Sequence, residues 1–421
     1  MGGQTDADVA IIGSGIIGTI SAIDLQAAGY SVVVIEPNEP GAGTAAGSAG
    51  YLHDGEIFPV ARPGLLAALP GMLLDPRGPL VVRPSYLPRF AGWGMRFLRA
   101  MRASTFARAT AALASLNRDA VAELAAVANA AGADEFLVRR GGLKIVYDAH
   151  TLHELAAELS ELEREGIAAR ALDEAEVHAL EPALGANVAG AIFFPNSAHC
   201  TDPELFGRRL AERMEMNAHV VRARANAIVP QQDGSWIVKA AARGSTHEIP
   251  AKRVLVAAGY DSAALLRPLG YLAPVAAARG YHLMISDPGV ALNHAMIFHE
   301  PHFAATPMNA GVRLAGTMEF ALPDSPPDFR RAQMLFDLAR RYIPGLRDGH
   351  ATQWAGVRPS MPDSLPAMGA ADRNRNLFYC FGHGHLGFTQ AAVSARAMTQ
   401  LISGASPFID LTPFDLARFR S

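Results

Sequence analysis

The sequence predicts an α/β fold joined to an α+β part, and three observations carry that reading. Residues 8–36 run from an apolar strand through a glycine turn and a helix to a second apolar strand. Strand, glycine turn and helix recur at 376–403, near the far end. Between them, alternating apolar patterns at 274–286, 295–306 and 311–317 predict an antiparallel sheet, followed by a helix at 327–343 and a strand at 353–358.

The first unit is the most specific. Asp8-Val9-Ala10-Ile11-Ile12 is almost continuously apolar, as a strand buried on both faces should be. It enters Gly13-Ser14-Gly15-Ile16-Ile17-Gly18. Gly13 permits the tight turn, Gly15 lets backbone approach a pyrophosphate, and Gly18 lets helix and strand pack closely. Free N–H groups and the helix dipole favour phosphate at that point. Glu36, at the end of the second strand and followed by Pro37, can accept hydrogen bonds from a ribose 2′-hydroxyl and disfavours a 2′-phosphate. The segment therefore reads as a dinucleotide-binding βαβ unit for NAD or FAD.

Further elements fill the interval. A glycine-rich loop stands at 41–50, a long alanine-rich helix is expected at 104–132, a strand at 143–147, a helix at 151–165 and a strand at 189–194. Residues 219–241 read as two strands joined by an Asp233-Gly234 hairpin turn, and 253–259 as a strand ending in Ala257-Ala258-Gly259. This order predicts a discontinuous nucleotide domain (1–100, part of 140–272, and 352–421). A substrate domain (101–139 and 273–351, with parts of 140–200) is inserted in it.

Composition narrows the function. With 421 residues, half of them hydrophobic, the chain can bury a large core. A formal charge of −3 and the lack of Lys/Arg-rich runs argue against nucleic acid as a partner. Cys200 and Cys380 offer neither a disulfide framework nor zinc spacing, so no metal is expected and redox chemistry must come from a cofactor. The βαβ unit starts too early for a secretory signal and no long apolar run is present, so a cytoplasmic location is expected. Residues 65–102 mix Leu, Met, Trp and Phe with Arg77, Arg83, Arg89, Arg96, Arg99 and Arg102, and hold no acid but Asp75. This stretch is either an apolar excursion packed on the protein, the favoured reading because prolines interrupt it, or a patch resting on the inner face of the membrane.

Five segments together resemble the FAD-dependent amino-acid oxidoreductases, the family of D-amino acid oxidase, glycine oxidase and D-amino acid dehydrogenase. They are GSGIIG with Glu36, GTAAGSAGYL at 43–52, VLVAAGYDS at 254–262, WAGVRPSMPDSLPAMG at 354–369 and FGHGHLGFTQAA at 381–392. The likeness is greatest to the D-amino acid dehydrogenase small-subunit branch. It implies a Rossmann-like FAD-binding domain with an inserted substrate domain on a mixed or antiparallel sheet, and non-covalent FAD. Thr44, Ala45, Ser48, Ala49, Gly50 and Tyr51 should then line the cofactor, as should the 257–259 turn and Gly356. Gly382, His383, Gly384, His385, Leu386, Gly387, Phe388 and Thr389 should meet the flavin through a turn leading into a helix.

The resemblance also implies the reaction: oxidative deamination of an amino acid of D-amino acid or D-hydroxyproline type, the α-hydrogen passing as hydride to flavin N5. The resulting imine hydrolyses to a keto acid and ammonia, and the electrons go to a quinone or another acceptor. The rivals are an oxidase that uses oxygen on glycine or sarcosine-type substrates, and a flavin-bearing subunit active only in a complex. By the same likeness Arg358 would anchor the substrate carboxylate, with an ion pair to Asp363 as its structural alternative. Tyr281 would be a second carboxylate ligand, although one residue of register would exchange it for Gly280 or His282. His53, His302 and Met308 would shape the side-chain pocket.

Overall fold

The computed structural model describes residues 7–66, 71, 78 and 80–420; Arg77 of the basic stretch lies outside them. The described residues form two large sheets and a small three-stranded one (Tyr51–Leu52, Ala198–Cys200 and Leu137–Val138). In the first sheet five strands are parallel, in the order Ala218–Val221, Val32–Ile35, Ala7–Ile12, Ser245–Val256 and Leu377–Phe381. These segments are apolar on both faces because both faces are covered. Val9, Ile11, Val32, Val34 and Leu255 point to one side, and Ala10, Ile12, Val33, Ile35, Val254 and Val256 to the other. The helices Ile16–Ala27 and Ala391–Ile402 pack against each other. The antiparallel hairpin Arg224–Pro230/Trp236–Ala242 continues the sheet along the first half of Ser245–Val256.

The second sheet runs Gly349–Ser360, Ala276–Asp287, Gly311–Phe320, Phe303–Met308, Ala295–Phe298, Gly142–Val146, Gly190–Phe194 and Arg170–Leu172. It is antiparallel except where Ala295–Phe298 meets Gly142–Val146 and where Leu80–Val82 adds to Gly311–Phe320. Helix Arg330–Ala339 covers one face through Leu335 and Phe336, against Leu283, Ile285 and Leu314. The long pairing of Ala276–Asp287 with Gly349–Ser360 sets Gly280 opposite Gly356 and Ala278 opposite Arg358.

Three local expectations change. The helix expected at 104–132 is two helices, Ala103–Asn117 and Ala120–Ala130. At the break, buried Asn117 donates to the Glu56 carbonyl and accepts from Gln390, contacts across the fold that no alanine periodicity reveals. Both helices, assigned from the sequence to the inserted part, pack under the parallel sheet: Leu113 and Leu116 share a core with Ile11, and Val121 and Leu124 one with Ile20 and Ala392. Residues 219–241 hold the predicted hairpin, but Ala218–Val221 separates from it to become the edge of the parallel sheet.

Helix Ile16–Ala27 carries a pH-sensitive group. Burial, and secondly the neighbouring Glu123 charge, raise the Asp24 carboxyl to about 7, against the opposing pull of Arg396. The folded chain thus holds this proton more tightly than the unfolded one, so its stabilising contribution is complete below about pH 4 and is lost as pH rises through about 7. Asp24→Asn should therefore gain about 2 kcal/mol on the wild type between about pH 4.5 and pH 8, after allowance for its partial exposure. Urea melts at the two pH values check this; a gain independent of pH refutes it.

Candidate functional site

A cavity of about 410 Å³ lies at the carboxyl ends of the parallel strands and extends to the second sheet. Its narrow end is built by the first turn. Gly13 leaves the strand with φ +97°, donating its N–H to the Ile35 carbonyl at 2.9 Å. A Cβ on Gly18 would stand 1.9 Å from the Gly13 carbonyl oxygen, so only glycine lets helix and turn meet here. Gly15 is the N-cap of helix Ile16–Ala27, which has no side-chain cap and no acid in its first turn. Nothing lies within 4 Å of where a Gly15 Cβ would stand. The helix end is thus uncapped and open, as a pyrophosphate requires. Glu36 lines the same end and accepts from the Ser14 and Asn38 N–H groups, each at 2.9 Å.

The wide end is framed by three segments. The 3-10 turn Thr44–Gly47 is fixed by Thr44 donating its hydroxyl to the Val357 carbonyl at 3.0 Å. The turn Gly382–Phe388 has positive φ at Gly382 and Gly384, and the Gly384 N–H donates to the Pro359 carbonyl at 3.0 Å. The third segment is the strand end carrying Val357, Arg358 and Pro359. His383 is buried with Nε2 3.0 Å from the Ser394 hydroxyl, and desolvation pulls its pKa down to about 3. His385 opens onto the cavity; desolvation also lowers its pKa, opposed by the Glu56 carboxylate.

Arg358 is the charge that defines this end. Its guanidinium lies across Gly280, where a Cβ would meet Cζ at 2.3 Å. Among the described residues no carboxylate lies within salt-bridge distance, and its hydrogen bond is a long one of 3.3 Å from Nη1 to the Thr317 carbonyl. Asp363 instead pairs with Arg418 Nε at 2.7 Å. Desolvation lowers the Arg358 pKa to about 10. A desolvated guanidinium with no carboxylate partner among the described residues, facing an open cavity, has the chemistry to pair with an anion from outside the fold.

Of the other expected cofactor contacts, Gly13, Gly15, Ile16, Ile17, Glu36, Pro37, Thr44, Ala45 and Ser48 line the cavity. So do Ala257, Ala258, Gly259, Gly382, His383, Gly384, His385, Gly387 and Phe388. Ser14, Gly18, Ala49, Gly50, Tyr51, Gly356, Leu386 and Thr389 do not. Several of these shape the walls from behind: a Cβ on Gly356 would strike Trp354 at 2.0 Å, and Thr389 accepts from the His53 N–H. The cavity also takes Trp354, Tyr260, Asp261, Arg224 and Pro323, which sequence reasoning missed. Tyr260 and Asp261 merely continue the Ala257-Ala258-Gly259 turn and were within reach of that signal.

Tyr281 stands elsewhere. Its hydroxyl donates to Glu319 at 2.6 Å and accepts from the Asp328 N–H, in a buried group where Glu319 also receives Arg83 and Arg279. Strand alternation is the reason: with Gly280 under Arg358, Tyr281 faces the opposite side and His282 returns to the near one. His282 Nδ1 lies 2.9 Å from the Gly47 carbonyl and its ring stacks on Trp354. His53 is buried, stacked on Tyr51, with Nδ1 3.3 Å from the Ser197 hydroxyl, and desolvation lowers it to about 4. His302 sits at a positive-φ turn beside His299; neither it nor Met308 lines the cavity. Among the described residues no group of three or more His, Cys, Asp or Glu is placed to hold a metal.

The family described as FAD dependent oxidoreductase matches residues 8–401. The chain belongs to this family. It is 35% identical over 419 residues to a D-amino-acid oxidase of Bradyrhizobium diazoefficiens, covering 98% of both chains. It is 32% identical over 433 residues to a D-amino acid dehydrogenase 2 of Ralstonia nicotianae, covering 97% of this chain and all of that one. In fold it matches a glycine oxidase from Geobacillus kaustophilus with TM-score 0.75 at 20% identity, over 98% and 99% of the two chains. As a family member the protein is an FAD-dependent oxidoreductase acting on amino acids. The residues present fit that cofactor: the uncapped helix end and glycine cradle suit its pyrophosphate, Glu36 its ribose, and the space between Thr44–Ser48 and Gly382–Phe388 its ring system.

Proposed function

We propose that the protein oxidatively deaminates an amino acid of D configuration, D-proline-type ring amines included. The observation that supports this most is the unpaired Arg358 guanidinium at the wide end of the cofactor cavity. Its planar fork suits a substrate carboxylate, which would supply the counter-charge that no described residue provides. Bound FAD supplies a two-electron acceptor for the α-hydrogen leaving as hydride. The chain's own work is to fix the carboxylate, hold the amine neutral and keep water from the reacting carbon. Loss of hydride and of one nitrogen-bound proton leaves an imine; water converts an acyclic imine to keto acid and ammonia, whereas the imine of a ring amine keeps its nitrogen and releases none. The names of both curated relatives support the D configuration.

For the electrons we propose a quinone or similar acceptor. A second reading, direct use of oxygen, is favoured by the name of the Bradyrhizobium relative. The test is anaerobic addition of D- and L-amino acids, prolines and sarcosine to the purified flavoprotein, followed by admission of air. Bleaching of the flavin by D-amino acids and slow reoxidation are expected. Bleaching by L-amino acids or sarcosine alone refutes the substrate class, and rapid reoxidation selects oxygen. An intact flavin spectrum throughout refutes the reading in favour of a subunit that acts only in a complex.

A further inference from the structure

Helix Leu87–Ala100 has two apolar faces, of which the described residues cover one. Phe90, Trp93 and Phe97 turn inward. Phe90 and Trp93 pack on Phe320, and Trp93 donates its indole N–H to the Ser360 carbonyl at 3.0 Å. On the other side Leu87, Ala91, Met95 and Leu98 recur at helical spacing and form a stripe toward solvent. Leu87 is 53% exposed, Met95 58% and Leu98 45%. Leu66 is 58% exposed and follows Leu65, which packs with Phe97, Ala100 and Met101 at the end of the same helix. Five of the ten large hydrophobics exposed among the described residues, Val60 included, fall in this one region.

Along the sequence the charge around this helix is basic but for Asp75. From Pro76 through Arg118 the sequence holds eight arginines and no carboxylate, in a chain whose net charge is −3. Arg89, Arg99 and Arg102 are exposed beside the stripe, and Arg96 reaches the Gly92 carbonyl of its own helix. Among the described residues none of these four pairs with a carboxylate. Among the described residues no helix is long and apolar enough to cross a membrane.

We propose that the outward face of helix Leu87–Ala100, with the adjoining segment 60–66, docks on an anionic lipid bilayer. The apolar stripe enters the headgroup and acyl boundary while the arginines meet lipid phosphates, the arrangement that holds amphipathic helices in an interface. Charge decides the occupant. A second copy related by two-fold symmetry would set this arginine cluster against itself, whereas an anionic surface complements it. The inward face of the helix rests on Ser360, two residues beyond Arg358, so the site would stand about one helix diameter, roughly 10 Å, from the bilayer. A membrane-dissolved electron acceptor would then be met without leaving the lipid. That use of the surface rests on the function proposed above; the docking does not.

Flotation of the flavoprotein with vesicles tests it. The wild type should rise with vesicles of phosphatidylglycerol and phosphatidylcholine, fail to rise with phosphatidylcholine alone, and be released by high salt. The triple variants L87S/M95S/L98S and R89E/R96E/R99E should each lower the bound fraction at least about tenfold, with flavin absorbance and reduction in solution unchanged. A wild type that stays behind with anionic vesicles overturns the proposal whatever the variants do. So does binding that survives both sets of substitutions, or a dimer in sedimentation velocity that L87S/M95S/L98S abolishes, since the stripe would then be covered by a second copy. Flotation of a protein that no amino acid reduces would leave the docking standing and refute the reaction.

Discussion

Arg358→Met is expected to leave a yellow, folded protein whose kcat/KM for its amino acid falls by about two to three orders of magnitude. The side chain lies at the wide end of the cavity, away from the glycine turn at the pyrophosphate end, so cofactor uptake should survive. Losing a desolvated, charge-assisted pair costs about 3–5 kcal/mol, and each 1.4 kcal/mol or so is tenfold in rate. Methionine keeps much of the volume without the charge. Because the guanidinium has no carboxylate partner among the described residues, its removal should not lower the melting temperature and is expected to raise it. Arg358→Lys keeps the charge but loses the fork, and should recover only part of the lost rate. Stopped-flow flavin reduction against substrate concentration, with a thermal melt of each variant, measures both quantities. Turnover that survives Arg358→Met would remove the carboxylate anchor from the mechanism.

Gly18→Ala should abolish flavin binding. An added methyl 1.9 Å from the Gly13 carbonyl oxygen meets backbone, which cannot rotate away, so the helix must lift from the turn that holds the phosphates. Overpacking a fixed contact of this kind costs several kcal/mol, on the order of 1–3 or more. Gly15→Ala is the informative contrast. Gly15 has φ −61°, which alanine adopts freely, and its methyl would enter only open space in the protein alone. Apoprotein carrying Gly15→Ala should therefore melt near the wild-type temperature yet bind FAD weakly, whereas Gly18→Ala should lose both stability and flavin. The absorbance ratio of flavin to protein and melts of the apoproteins separate the two. Equal behaviour of the two variants would refute the division of labour between packing glycine and phosphate-facing glycine.

What could be read without coordinates follows the range of the interactions involved. The cradle of Gly13, Gly15, Gly18 and Glu36 was legible because strand, turn, helix and strand are contiguous and each residue type answers a local need. Arg358 was legible by resemblance, through its place in Gly-Val-Arg-Pro. Tyr281 was not, because its orientation depends on which residue of Ala276–Asp287 opposes which of Gly349–Ser360, and a step of one reverses the face. Trp354 enters the cavity by the same long pairing, opposite His282, and Pro323 enters from the loop after Gly311–Phe320. The break after Asn117 depends on Glu56 and Gln390, distant in sequence and adjacent only once the fold exists. Arginine and leucine on Leu87–Ala100 were visible as composition, but two opposite apolar faces could be separated only by seeing which one Phe320 and Ser360 occupy.

The assembly of the parallel sheet has a consequence for how the protein is made. Its strands come from residues 7–35, 218–256 and 377–381, and the last of these brings the Gly382–Phe388 wall of the cavity with it. A chain emerging from the ribosome exposes Val9, Ile11, Val32 and Val34 long before their covering strands and helices exist. Pairings of such sequence separation form slowly and leave strand edges open while they wait. Chaperone demand during synthesis should thus be high, and FAD capture is expected only after residue 388 has cleared the exit tunnel. Cofactor supply then acts late in maturation, on chains whose parallel sheet has closed, rather than on early ones.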